Sequence, residues 1–330
     1  MAVMGLGTEG YTRVQKETTY GSPLTNTMTD LAVKPGTIAN IVIENIENDN
    51  IIGTRLRQAP NIGRTICSGS LILNLNPATI GTLLNYAFGA ASSAGIGPYT
   101  HTWLQEITSV QTDGAIFTLQ HAQGSELANQ LTSCMIHKIN IESDNQGNVL
   151  LTAEFIAKTY ITNVARQTSW SFSAILPYNF SNVVITEAGL GTFLTETMSI
   201  EIDLGLDIER WKLGDATPNR VVFNKIPTAT MKLTIDADQQ FNDAAWAHTA
   251  YDFTITMTST EIAGGSTPYS FVLEFPGCRL NPETSAENTL ERLKHELELI
   301  CEYGGTTTGS AATNVMWEAR VVDATATYTA

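Results

Sequence analysis

Charge is scarce in this 330-residue chain. Only 15% of its residues are Asp, Glu, Lys or Arg, and 18 basic residues stand against 33 acidic ones, a formal net charge of −15. Gripping nucleic acid takes clustered Lys and Arg, so the formal charge argues against a surface that grips phosphate. It leaves open a surface that nucleic acid slides past, because an acidic wall repels phosphate and prevents sticking. Cysteine is sparse as well. Cys67, Cys134, Cys278 and Cys301 lie far apart, most of them inside apolar strand patterns. They read as small buried hydrophobes in a reducing compartment. No stretch reaches the roughly 18 consecutive apolar residues that span a bilayer. Residues 1–7 lack the basic start and long apolar core of a signal peptide. The expectation is a chain made in a cytoplasm that stays or assembles there, without a membrane partner.

Catalytic and cofactor patterns are missing too. Gly5-Leu6-Gly7-Thr8-Glu9-Gly10 spells a dinucleotide fingerprint, but only four residues precede it where a strand is required. His295-Glu296-Leu297-Glu298-Leu299 begins like a zinc-protease helix and has Leu299 where the second histidine belongs. Cys134 and His137 would point to opposite faces of a strand. No Gly-x-Ser-x-Gly elbow is present, and the five histidines are scattered. The sequence therefore predicts no enzyme, no cofactor and no metal.

Apolar residues make up 43% of the chain, while Thr, Asn and Ser fill its polar positions, a mix that favours sheets over helices. The clearest strand runs from Ile200 to Asp207, with apolar residues at even positions and acids or glycine at odd ones. Met135–Glu142 and Val149–Phe155 read as a hairpin, with a counterpart expected at Glu296–Glu302 and Val315–Val321. Three helices are expected. One starts at Asn76-Pro77 and carries Ile80, Leu83, Leu84, Ala87 and Phe88 up to Gly89; a second is capped by Asp236 or Asp238 and carries Phe241, Ala245 and Trp246; a third runs from Ser285 to about His295.

The order of these elements is kept twice. Pro23 corresponds to Pro177, Ile41–Glu44 to Ser199–Ile202, Leu71–Asn74 to Met231–Thr234 and Ile116–Leu119 to Ser270–Leu273. The expected organisation is an N-terminal arm and lead-in over 1–37, a first domain over 38–165, a linker and lead-in strand over 166–192, and a second domain over 193–330. The first twenty residues read as an arm ordered only on a partner. A chain of two equivalent modules suits ring assembly, since three copies present six similar wedges.

Two long segments interrupt the strand pairs: 48–66, with Arg55, Arg57 and Arg64, and 208–226, with Arg210, Trp211, Lys212 and Arg220. Cationic loops on an acidic body point to docking on an acidic neighbour, including another copy. Acids cluster on strand faces: Glu201, Asp203 and Asp207 on one, Glu296, Glu298 and Glu302 on another, with Glu44 and Glu142 as weaker equivalents. They are either a solvated sheet surface or the lining of a ring.

Several segments carry a family resemblance. They are Gly10–Pro23, the Gly69–Pro77 strand running into a helix that ends Ala87-Phe88-Gly89, Tyr99-Thr100-His101, Phe117-Thr118-Leu119-Gln120, and the strand pair split by Asp144-Asn145-Gln146-Gly147. In this layout the chain resembles the tail tube proteins of long-tailed bacteriophages. The resemblance implies a mainly β fold with short helices: two tandem, similar, β-sandwich and barrel-forming tube domains, each with a flanking helix. It implies a structural virion protein, assembled in the host cytoplasm, that polymerises into stacked rings. For a duplicated member these are trimeric and pseudo-hexameric, with an acidic lumen for DNA ejection. The implied partners are further copies of the chain, a tape measure protein, and tail terminator and tip proteins, while DNA passes without specific binding. On this reading the two cationic loops and the arm stack the rings, and the acids named above line the lumen. The alternative is an adhesin-like or carbohydrate-binding β-sandwich displaying Trp103, Trp170 and Trp211.

Overall fold

The computed structural model describes residues 10–23, 28–36, 38–47, 60–106, 116–124, 127–166, 169–207, 209, 211–218, 222–223, 225–236, 250–281, 286–288, 293–302, 305–307 and 309–328. The first half holds β1 (Tyr11–Lys16), β2 (Thr29–Leu31), β3 (Ile38–Ile46), β4 (Asn61–Asn74), helix α1 (Ile80–Phe88), β5 (Ser92–Ala94), β6 (Tyr99–Glu106), β7 (Phe117–Gln123), β8 (Leu127–Ser143), β9 (Leu150–Ala157) and β10 (Thr159–Ile161). The second holds β11 (Val183–Glu187), β12 (Gly191–Phe193), β13 (Thr195–Asp203), β14 (Leu206–Asp207), β15 (Val222–Phe223), β16 (Thr228–Asp236), β17 (Ala250–Gly264), β18 (Thr267–Leu280), β19 (Ala286–Asn288), β20 (Leu293–Cys301), β21 (Gly305–Thr306) and β22 (Thr313–Asp323).

All pairings are antiparallel, and the two halves run in matching order. In the first, neighbours follow β2-β1-β7-β8-β9-β4-β3, with β10 beside the N-terminal part of β8. In the second they follow β12-β11-β17-β18-β20-β16-β13, with β22 beside the N-terminal part of β18. The sequence offsets set Phe117 beside Phe271, whereas these orders set β7 beside β17 and β8 beside β18. The expected hairpin of Glu296–Glu302 with Val315–Val321 does not form. β20 and β22 both pair with β18, along Cys278–Leu280 and Ser270–Glu274 respectively, and not with each other.

Each long strand changes partners at one left-handed residue: Ser133 (φ 50°) in β8 and Gly277 (φ 93°) in β18. Glycine adopts that conformation freely, and serine does so at a cost. A buried carboxylate offsets the cost at Ser133. Glu17 is 1% exposed and accepts hydrogen bonds from the Ser133 amide (2.7 Å), the Ser133 hydroxyl (2.6 Å) and the Thr118 hydroxyl (2.6 Å). At the second bend the Gly277 amide donates to Asp252 Oδ1 at 3.0 Å.

Helix α1 forms where its apolar spacing predicts. Asn76 Oδ1 accepts from the Ala78 amide at 2.9 Å and the Gly89 amide closes the last turn on Asn85 O at 3.1 Å. Its stripe of Ile80, Leu83, Leu84, Ala87 and Phe88 is buried. α1 is the one α-helix among the described residues. The helix expected at Phe241, Ala245 and Trp246 lies outside them. The helix expected from Ser285 to about His295 is a strand pair instead, Ala286–Asn288 against Leu293–His295. Glu287 and Glu291 would repel at i,i+4 on a helix. The two-residue period that buries Leu297 and Leu299 against β16 governs this region instead.

The arm expectation also changes from residue 11 onward. β1 pairs within the chain, between β2 and β7, and buries Tyr11, Thr12 and Val14. The halves interlock twice: β13 pairs with β8, and β6 pairs with β22. One hydrophobic core runs through both, holding Phe117, Phe155, Phe253, Phe271 and Trp317. Phe88 of α1 meets Trp317 of β22 at 4.1 Å between ring centroids.

Candidate functional site

The β8–β13 ladder makes one polar sheet face out of both halves. Along β8, β9, β13, β16 and β20, alternate residues point into the core: Ile139, Ile141, Leu151, Ala153, Ile200, Ile202, Met231, Leu233, Leu297 and Leu299 are all buried. The intervening residues are therefore set on the opposite face. Register places Glu142 opposite Ser199, Asn140 opposite Glu201 and Lys138 opposite Asp203. Ser199 in turn lies opposite Lys232, and Lys232 opposite Glu298.

Among the sequence-predicted acids, this face gathers Glu142, Glu201, Asp203, Glu296 and Glu298, with Glu302 at its end. Glu154 joins them through its place opposite Lys138. Three cations interleave, and none of them stood out in the sequence. Lys138 Nζ lies 2.8 Å from Glu201, Lys232 Nζ 3.1 Å from Glu298, and Arg279 Nε 2.6 Å from Glu302. Seven carboxylates against three cations leave the face at −4 by count. The Asn281 amide group and then Lys232 hold the Glu298 carboxyl below its ordinary range, and the hydrogen bond to Glu201 raises Lys138. Burial lowers His137, which keeps the imidazole beside Glu154 towards its neutral form. Exposed pairs of this kind contribute little to stability, so the balance matters for the field above the sheet.

Asp207 stands elsewhere, and Glu44 lies at the far edge of the same sheet face, on β3, where its charge is matched by Arg64. β13 ends at Asp203, and the chain turns at Gly205 (φ 70°), where the Gly205 amide donates to Asp203 Oδ1 at 2.8 Å. Asp207 accordingly belongs to the short β14–β15 ladder. Glu44 is held by Arg64 through two bonds, 2.8 and 3.2 Å.

The two cationic segments meet each other within the chain. Arg64 Cζ sits 5.1 Å from the Trp211 ring centroid, the Thr65 amide donates to Ala216 O at 2.7 Å, and Tyr20 Oη reaches Pro218 O at 3.5 Å. Residues 211–218 thus lie across the start of β4. Lys212 is exposed, while Arg55, Arg57, Arg210 and Arg220 lie outside the described residues.

The sugar-platform alternative loses one of its aromatics. Trp103 is 2% exposed and donates from Nε1 to Gly89 O at 3.0 Å, as a core residue does. Trp211 is covered by Arg64, and Trp170 is half exposed. The groove of about 540 Å³ on the polar face is lined by Glu142, Ser199, Lys232, Glu296 and Glu298 among others, with no aromatic side chain. Among the described residues, no three His, Cys, Asp or Glu side chains converge on a metal-sized site, and no helix is long and apolar enough to cross a membrane. All four cysteines are buried free thiols, and burial pushes Cys67 up to about 11, well away from thiolate chemistry.

The described residues form a mainly β protein, with a large antiparallel sheet, one short α-helix and a polar face carrying an acidic excess. Residues 7–330 match the family described as Phage tail tube protein, and the chain belongs to that family. It is a structural, non-enzymatic component of the virion tail. A search among curated proteins returned no match.

Proposed function

We propose that the chain is a tandem duplication of a tube domain, with units at 38–165 and 193–330 behind a lead-in over 1–37 and a linker over 166–192. Three copies close into a ring of pseudo-sixfold symmetry. Rings stack into the tail tube, the polar face lines the lumen, and DNA passes through it without specific binding. The observation that carries this reading is the β8–β13 ladder, which continues the first half's sheet into the second and keeps one face polar across the junction. The matching strand orders and the paired bends at Ser133 and Gly277 support the duplication. The cationic segments, residues 1–9, a tape measure protein and the terminator and tip proteins complete the assembly on this reading.

A net acidic wall repels phosphate, so the number of charges governs transit. Replacing Glu201, Asp203 and Glu296 with Lys shifts the face from −4 to +2 and is expected to leave tubes intact while slowing DNA ejection about tenfold or more. Ejection followed by dye release from purified particles measures this. Wild-type ejection from intact variant tubes would contradict the lumen assignment.

A further inference from the structure

Cys278 and Cys301 stand opposite each other on β18 and β20, one residue past the bend at Gly277. The Cys278 thiol donates to Cys301 Sγ at 3.1 Å, roughly 1 Å beyond the ~2.04 Å of a disulfide bond. The Glu302 amide donates to Gly277 O, so the adjacent Cys278–Cys301 pair is of the non-hydrogen-bonded kind. Such pairs bring the α-carbons to about 4.5 Å, inside the roughly 4.4–6.8 Å that a disulfide spans. The other two thiols are set apart. Met135 opposite Ile156 corresponds to Arg279 opposite Ile300, so Cys134 takes the place of Cys278 and Ala157 that of Cys301. β9 lies between Cys67 on β4 and Cys134 on β8, and two strand spacings, roughly 9.5 Å, exceed the reach of a disulfide.

We propose that Cys278 and Cys301 form a modification site, a thiol pair that closes to a disulfide once the virion tail leaves the reducing interior of the cell in which it is made. The oxidant is a small disulfide of the glutathione class. Cys301, 4% exposed where Cys278 is fully buried, reacts first. Its thiol loses a proton and the sulfur attacks the small disulfide, forming a mixed disulfide and releasing one small thiol. Cys278 then gives up its proton, attacks Cys301 Sγ and displaces the second small thiol. The protein loses two hydrogens with their two electrons, and the small disulfide is reduced to two thiols. Both sulfurs are buried, so the exchange waits for the end of β20 to open and takes hours. Closure ties residues 23 apart in sequence and holds β18 where its partner changes from β22 to β20. The result is a subunit harder to unfold outside the cell than during assembly. This site rests on the chain's place in the virion tail and not on the ring reading.

The test is the purified full chain held overnight at neutral pH with oxidised glutathione, beside a sample kept in reductant, each then denatured in an alkylating reagent. Alkylated thiols are expected to fall from four to two, and peptide mapping to join Cys278 to Cys301. Thermal unfolding of the oxidised chain is expected about 5 °C above the reduced one, the gain from closing a loop of this length in a chain of this size. The variant Cys301→Ala, which copies Ala157 of the first half, is expected to keep its three remaining thiols and to show no such rise. Four free thiols after exposure, a lasting glutathione adduct, or a bond between Cys67 and Cys134 would overturn the site. A Cys278–Cys301 bond that leaves the melting temperature unchanged would overturn its stabilising role. Each readout is made on the unassembled chain, so failure of the ring reading leaves the site standing and failure of the site leaves the rings.

Discussion

Replacing Glu17 with alanine lowers the stability of the unassembled chain by about 3 kcal/mol: three donors lose hydrogen bonds to a buried carboxylate, each contributing roughly 1.5–3 kcal/mol, and the lost cost of burying that carboxylate offsets part of the sum. Thr118 and both polar groups of Ser133 lose their acceptor inside the protein. The Ser133 bend then keeps its left-handed backbone without its compensating bonds. Since this bend is where β8 passes from β7 and β10 to β9 and β13, the ladder between the halves loosens as well. Urea unfolding followed by tryptophan fluorescence measures the change. A loss below 1 kcal/mol would show that the carboxylate does not hold the bend.

Truncating Trp317 to alanine is expected to cost about 4 kcal/mol, in the range seen when large aromatics are removed from cores. The side chain has no exposed surface and packs on Phe88, so the cavity would open between α1 of the first half and β22 of the second. For a chain of this size, thermal unfolding should fall by roughly 6 °C. A variant melting within 2 °C of the parent would mean that the neighbouring side chains collapse into the space and that the halves do not depend on this contact.

The sequence made some elements plain and hid others, for identifiable reasons. β13 and the β8–β9 hairpin were legible because one face of each is buried and the other wet, which prints a two-residue period. β1 was not legible, because it lies between β2 and β7 and buries Tyr11, Thr12 and Val14, which leaves no alternation to read. The end of β13 was hidden by the reverse effect. Leu204 and Leu206 are both buried and continue the apolar rhythm through a turn at Gly205, so Asp207 looked like part of the same face. The two arms of the β17–β18 hairpin carry similar patterns, Phe253, Ile255 and Met257 against Phe271, Leu273 and Phe275, and a match by offset can fall on either arm. The acids of the candidate lumen were visible in the sequence. Lys138 and Lys232, which temper them, were not, because their partners are set by pairing register across strands distant in sequence.

The ring is the central claim, and electron microscopy of the purified chain over a concentration series, with mass measured on the same samples, tests it most directly. The account predicts hollow tubes or stacked rings with apparent sixfold symmetry and three chains in each ring. Rings of six chains, or a dispersed monomer throughout the series, would contradict it.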